Sequence, residues 1–142
     1  MINCFNGKYA FLSNFYGSPV NYNGLSYLNN EAAFQAQKTL DENIRKEFTQ
    51  LPPNLAKRKG RKVALRSDWE RVKDVVMYEL CLEKFVGNVT LLDLLHQTKD
   101  VEIVEGNYWH DNYWGNCTCD RCKNVVGKNE LGKILMEIRD KY

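Results

Sequence analysis

Apolar residues recur at helical spacing over much of the chain, broken by Gly, Pro and Asn. Val72, Val75, Val76, Leu80 and Phe85 follow a 3.6-residue period and predict the longest helix, with those side chains as its buried stripe. Ser67-Asp-Trp-Glu70 ahead of it reads as a capping box, in which the Ser67 hydroxyl accepts from the Glu70 N–H and the Glu70 carboxylate reaches back. Gly87 and Asn88 end this helix. Thr90 opens a shorter one through His96, with Asp93 in the fourth position of a second capping pattern. A last helix starts at Asn129 and buries Leu131, Ile134, Leu135 and Ile138.

The first part of the chain has a different rhythm. Residues 9–28 read as extended. Within them Pro19–Tyr22 and Leu25–Leu28 flank Asn23-Gly24, a pair suited to the positive φ angles of a type I′ hairpin turn. A helix follows with Asn30 as N-cap and Glu31 to Leu40 free of Gly and Pro; another spans about 41–50, and Asn54 caps a third after Pro52-Pro53. Residues 101–105 read as a strand and residues 106–128 as a long polar-aromatic loop. The expected fold is α+β and predominantly helical, a single domain over residues 1–142 with a few short strands.

Bulk properties narrow the class. The 142 residues suit one domain, and 44% hydrophobic content suffices for one core. The net charge of +2 neither requires nor excludes a nucleic-acid partner. No stretch approaches the ~20 apolar residues of a membrane span, and the first residues lack the apolar run of a signal peptide. An odd number of cysteines, 5, disfavours a disulfide framework, so the expected setting is the cytoplasm or another reducing compartment.

Five clusters can carry chemistry. Glu31, Gln35 and Lys38 share one helical face, as either a ligand-binding face or a solvated charge pair. Asp111-Asn-Tyr-Trp114-Gly115, preceded by Trp109 and His110, offers an acid beside stacking rings, or an aromatic cover for the core. Paired carboxylates are what glycoside cleavage uses. Phe11-Leu-Ser-Asn14-Phe15-Tyr16 is either a base- or phosphate-binding segment or an aromatic strand end. Lys57–Lys62 places five basic side chains in six positions, able to engage phosphates or simply to be solvated, and Arg66 before the capped helix is the best single phosphate candidate. Cys117, Cys119 and Cys122, with His110 upstream, supply four zinc-type ligands or remain free thiols.

Read together, these words resemble the NADAR, or YbiA-like, family. The resemblance runs in order through Phe11–Phe15, Glu31–Lys38, Arg66–Trp69, Met77 with Lys84-Phe85, and Val104-Glu105. It continues through Asp111–Gly115 and Gly127–Gly132 to Leu135-Met136 and Arg139. It implies hydrolysis of an N-glycosidic bond at ribose C1, with Glu31, Lys38 and Asp111 as catalytic groups, the nucleophile being either a water steered by Glu31 or Asp111 or the Lys38 amine, which would form an imine with the opened ribose. Asn14, Phe15, Gln35, Arg66, Trp69, Trp114, Gly115 and Asn129 would bind substrate. No cofactor is required for this chemistry, although a structural zinc at the cysteines is compatible with it. Where the family word often has His after the Glu, this chain has Ala32.

The expected activity is removal of ADP-ribose from ADP-ribosylated guanine, on DNA, RNA or a nucleotide. One alternative is cleavage of the phosphorylated ribosylamino-pyrimidine intermediate of riboflavin biosynthesis. Alternatives of another class are a non-catalytic ADP-ribose or NAD binding module and a zinc-dependent nucleic-acid-binding protein.

Overall fold

The computed structural model describes residues 1–142, which form six α-helices and four short strands. They group into two compact units, Asn14–Asn88 and Met1–Ser13 with Val89–Tyr142. No helix is long and apolar enough to cross a membrane.

In the first unit, β1 (Val20–Tyr22) and β2 (Leu25–Tyr27) pair antiparallel, Val20 opposite Tyr27. Asn23 and Gly24 turn the hairpin with φ of 49° and 84°, the positive values predicted for this pair. Helix α1 (Asn30–Ala36) follows, and all seven of its residues are buried. Its N-cap is Asn29 rather than Asn30: the Asn29 side chain accepts from the Ala32 N–H at 2.8 Å and donates to the Leu51 carbonyl. The helix stops at Ala36, short of the expected Leu40, because Gln37 and Lys38 tighten into a turn that donates back to Phe34 and Gln35.

Helix α2 (Glu42–Lys46) is capped by the Asp41 carboxylate. Helix α3 (Pro53–Gly60) begins on Pro53, whose missing N–H costs nothing at a first helical position, so Asn54 lies inside the helix and not at its cap. Helix α4 spans Trp69–Val86. The expected capping box does not form. Asp68 takes the N-cap position without a side-chain cap bond, and its two oxygens accept from the Arg66 Nε and Nη2 at 2.6 and 3.0 Å. Because the helix begins only at Trp69, Ser67 lies one residue ahead of the N-cap, and the Glu70 carboxylate pairs with Lys73 instead of reaching back. The buried face of α4 is Trp69, Val76, Met77, Leu80, Cys81, Lys84 and Phe85, while Val75, expected inside, is 58% exposed. A stripe through 76, 77, 80, 81 and 84 leaves 75 on the outer side.

In the second unit, residues of both chain ends meet. Ile2 donates to the Glu102 carbonyl and accepts from the Val104 N–H, forming a parallel bridge with Ile103. This single bridge replaces the strand expected at 101–105. Residues 7–12, expected to be extended, wind into a short 3₁₀ helix with Phe11 and Leu12 buried. Helices α5 (Val89–His96) and α6 (Glu130–Lys141) pack together through a core that includes Leu91, Leu95, Leu131, Leu135 and Ile138. Within the loop expected at 106–128, β3 (Gly106–Asn107) and β4 (Asn116–Cys117) pair in parallel, followed by a 3₁₀ turn at Asp120–Cys122.

Lys84 is the least expected core residue. It is 2% exposed, with its Nζ over the Tyr16 and Phe85 rings, and burial pushes its pKa down to about 8. The folded form therefore binds fewer protons than the unfolded chain between about 8 and the ordinary lysine value of 10.5, so stability attributable to Lys84 rises with pH across that window. Cys81, pushed up to about 12 by the same burial, acts in the opposite sense above its ordinary value. The wild type is thus expected to gain on Lys84→Met by up to about 3 kcal/mol as pH rises through this range. Denaturant titrations at stepped pH check this, and a pH-independent gap between the two proteins would contradict it.

Candidate active site

The Asn14–Asn88 unit gathers seven of the predicted site residues. At the N-terminus of α1, the Asn14 carbonyl accepts from the Glu31 N–H at 3.0 Å. Helical spacing then sets Gln35 one turn above Glu31. Gln35 Nε2 donates to Glu31 Oε2 at 2.9 Å, so the carboxylate is held by an amide on its own helix. Glu31 is only 9% exposed. This is not the solvated charged face that the spacing alone also allowed.

Lys38 sits in the turn beyond α1. Burial lowers its pKa below the usual lysine range, the Glu31 carboxylate opposes that shift, and the Arg61 and Lys57 charges add to it. A lowered pKa leaves more of the amine unprotonated near neutral pH than in an ordinary lysine. Of the Lys57–Lys62 run, Lys57 and Arg61 are the members whose charges act on Lys38. Lys59 pairs with Glu47 at 2.6 Å, and Lys57 also lies over the Phe15 ring.

Arg66 enters through its backbone, its N–H donating to the Lys38 carbonyl at 2.8 Å. Its guanidinium is paired with Asp68, which holds the Arg66 pKa above and the Asp68 pKa below the ordinary values. Trp69 is 6% exposed and packs on Phe34, ring centroids 5.1 Å apart and tilted by 57°.

Three buried side-chain oxygens in this unit, Asn14 Oδ1, Asn30 Oδ1 and Gln35 Oε1, have no hydrogen-bond partner in the protein. Buried acceptors are normally satisfied, so each exception calls for a bound water, an ion, strain or a chemical role. Asn30 was expected only as a cap. Its only signal in the sequence was the Asn29-Asn30 pair, of which one member caps the helix. Gly60, read only as a gap in the basic run, is the other residue missed. A Cβ there would overlap Gln35 Oε1 and Cδ, so glycine is what leaves room for the Gln35 side chain in this position.

Asp111, Trp114, Gly115 and Asn129 lie in the other unit, where they form a network of their own. Asp111 Oδ1 accepts from the Tyr113 and Trp114 N–H groups at 3.0 and 2.9 Å, turning the loop. Asn107, buried, clasps Asp111 by accepting from its N–H and donating to its carbonyl. The Tyr113 and Trp114 carbonyls accept the first N–H groups of α6, which has no side-chain cap. A Cβ on Gly115 would overlap the Glu105 carbonyl oxygen. Asn129, left-handed at φ 53°, accepts from the Glu105 N–H and donates to the Ile103 carbonyl, both at 2.9 Å. In the same unit His110, Cys117, Cys119 and Cys122 bring their ligand atoms within 4.8 Å of one another, a set able to bind zinc.

The NADAR domain model matches residues 4–142, and the chain belongs to that family. It is 38% identical to the N-glycosidase YbiA of Escherichia coli (strain K12) over 135 residues, 93% of this chain and 81% of that protein. The NMR structure of the E. coli protein YbiA superposes with a TM-score of 0.82 at 37% identity, covering 99% of this chain and 84% of the other. The mostly helical fold with an N-terminal hairpin is therefore the YbiA fold. More distant is a Vibrio vulnificus riboflavin biosynthesis protein, VVA0006, 31% identical over 94% of this chain but only 35% of that protein.

Gly60→Ala tests how tightly the Gln35–Glu31 pair is held. The added methyl must displace Gln35, and overpacking of this kind costs about 1–3 kcal/mol. Thermal unfolding is expected to shift down accordingly; an unchanged midpoint would show that Gln35 is free to move.

Proposed function

We propose that this chain is an N-glycosidase that hydrolyses the bond between ribose C1 and a base nitrogen, removing ADP-ribose from ADP-ribosylated guanine in nucleic acid or nucleotides. The observation that carries the reading is the buried Glu31 carboxylate, oriented by Gln35 and set electrostatically beside Lys38 in a chain whose relatives are N-glycosidases. Cleavage at C1 develops positive charge on the ribose ring, and a fixed carboxylate in a low-dielectric setting stabilises that charge. Gln35 is a positioning residue. Its Nε2 fixes the carboxylate, and its Oε1 is a buried acceptor without a partner in the protein, packed against Gly60. Asn14 and Asn30 offer acceptors of the same kind.

Two routes complete the reaction. Glu31 directs a water to C1, or the neutral Lys38 amine displaces the base at C1 and its proton passes to the departing base nitrogen; the ring C1–O bond then opens as the remaining N–H proton moves to that oxygen, and water hydrolyses the resulting imine to release the ribose. The lowered Lys38 pKa supports the second route. Arg66 and the basic residues of α3 supply the positive field that a diphosphate-bearing substrate requires. Arg66 meets phosphate only by sharing the guanidinium that Asp68 now holds. Phe15 and Trp69 are proposed to border the bound ring. Asp111 is proposed as a second acid and Trp114 as a stacking ring, on the family match, while Gly115 and Asn129 shape their loop. No cofactor is needed, and free thiols fit a cytoplasmic setting.

The ribosylamino-pyrimidine of riboflavin biosynthesis is the second reading, favoured by the likeness to the Vibrio vulnificus protein. Offering both substrates separately and following base release distinguishes them: turnover of the pyrimidine alone overturns the first reading, and ADP-ribose binding without turnover of either makes the chain a reader module. Glu31→Gln is expected to lower turnover by about 10²–10⁴-fold with the fold intact.

Borohydride added during turnover is expected to trap a ribose adduct that is lost in Lys38→Arg; no adduct with the wild type leaves water as the nucleophile. Asp111→Asn retains an oxygen for the Tyr113 and Trp114 amides and removes only the charge. It is expected to unfold like the wild type yet turn over more slowly, and full activity would remove Asp111 from the catalytic set.

A further inference from the structure

The cysteine cluster has no part in N-glycoside cleavage, yet its geometry is that of a built site. His110 Nδ1 lies 3.2 Å from Cys119 Sγ, 3.5 Å from Cys122 Sγ and 3.9 Å from Cys117 Sγ. A tetrahedral zinc with Zn–N near 2.05 Å and Zn–S near 2.3 Å has nitrogen–sulfur edges of about 3.5 Å and sulfur–sulfur edges of about 3.8 Å. The three nitrogen–sulfur distances straddle the first value, and all four ligand atoms fall within 4.8 Å of one another. None of the cysteines is in a disulfide.

We propose that His110, Cys117, Cys119 and Cys122 form a structural zinc site that closes the base of the Asp111–Gly115 loop. Three thiolates and an imidazole at tetrahedral spacing select zinc over the hard cations that prefer oxygen. With four protein ligands the site is closed, which makes it structural and not catalytic.

The surroundings fit a bound metal. The His110 backbone N–H points at Cys117 Sγ at 3.3 Å, the kind of amide contact that supports a metal-bound thiolate. His110 itself sits at φ 71°, a left-handed conformation uncommon outside glycine, and that conformation goes with an Nδ1 facing all three sulfurs.

The site's place in the chain gives it a purpose. His110 and Cys117 bracket the loop, directly before Asp111 and two residues after Gly115. Between them the Asp111 turn, the Asn107 clasp on Asp111 and the amides of residues 128–131 bonded to the loop carbonyls shape the loop, while Asn112 Oδ1 accepting from the Cys117 N–H at 2.8 Å joins it to the cysteine segment. Cys119 and Cys122 tie the segment after β4 to the same point. A metal bonded to all four ligands joins the two ends of the loop covalently, and so fixes the Tyr113 and Trp114 carbonyls that cap α6.

The test uses the full chain, purified under reducing conditions, stripped of metal and reloaded with zinc alone. About one zinc per chain is expected by elemental analysis, from one four-ligand site. Cobalt in its place is expected to give the visible bands of tetrahedral coordination together with thiolate charge transfer. Cys119→Ser should lose tight binding of both metals, and Cys4→Ser should keep it. Amide hydrogen exchange at Tyr113, Trp114 and Cys117 should quicken by at least about tenfold on metal removal, because the loop opens locally. Zinc well below one per chain, a cobalt spectrum of octahedral oxygen ligation, or a disulfide forming within the cluster under reductant overturns the site. Full loading with unchanged loop exchange overturns its role in holding the loop. Neither result depends on the substrate or on turnover.

Discussion

The Asn14–Asn88 unit depends on the burial of a short helix that carries a carboxylate. Removing Glu31 from water is unfavourable, and an ionised group so placed must be met by fixed polar partners. Gln35 supplies the first from one turn away, and Lys38 lies in its field just beyond the helix. The rest of the unit is arranged to keep that geometry. Asn14 takes the Glu31 amide, Asn29 caps the helix and reaches the Leu51 carbonyl, Arg66 closes on the Lys38 carbonyl, and Gly60 leaves room for the Gln35 side chain. Ala32, Ala33 and Ala36 are fully buried, so the helix packs closely while Glu31 and Gln35 project.

The second unit solves a different problem with the same chemistry. Its loops contain little regular structure, and side-chain amides stand in for missing strand partners. Asn129 bonds the 103–105 backbone as a neighbouring strand would, Asn107 clasps Asp111, and Asn116 accepts from the Gly127 N–H. The helix that follows has its first amides satisfied by loop carbonyls rather than by a capping side chain. Loop and helix therefore share one network, in which Asp111 has both a structural oxygen and a charge.

A fold held this way places polar groups where an apolar core would be cheaper. The unpartnered oxygens of Asn14, Asn30 and Gln35, and the buried Lys84, each cost stability that a hydrophobic residue would not. All four lie in the Asn14–Asn88 unit. The basic residues at the end of α3 add a field there that the modest net charge of the whole chain conceals.

The sequence by itself determined the elements whose cause is local. The Asn23-Gly24 turn needs only two residues that tolerate positive φ, and the 31–35 pairing follows from helical spacing. The family was legible too, because its words keep their order. Tertiary structure decided whatever depended on competition between partners. Asp68 went to Arg66 instead of capping α4, Val75 turned outward while Lys84 turned in, and residues 101–105 found a single bridge to Ile2 instead of a strand. It also decided that the Glu31 face is buried, which spacing cannot reveal, since the same i, i+4 pattern serves a solvated helix equally well. A carboxylate becomes a chemical group of this kind only when other parts of the chain take the water away.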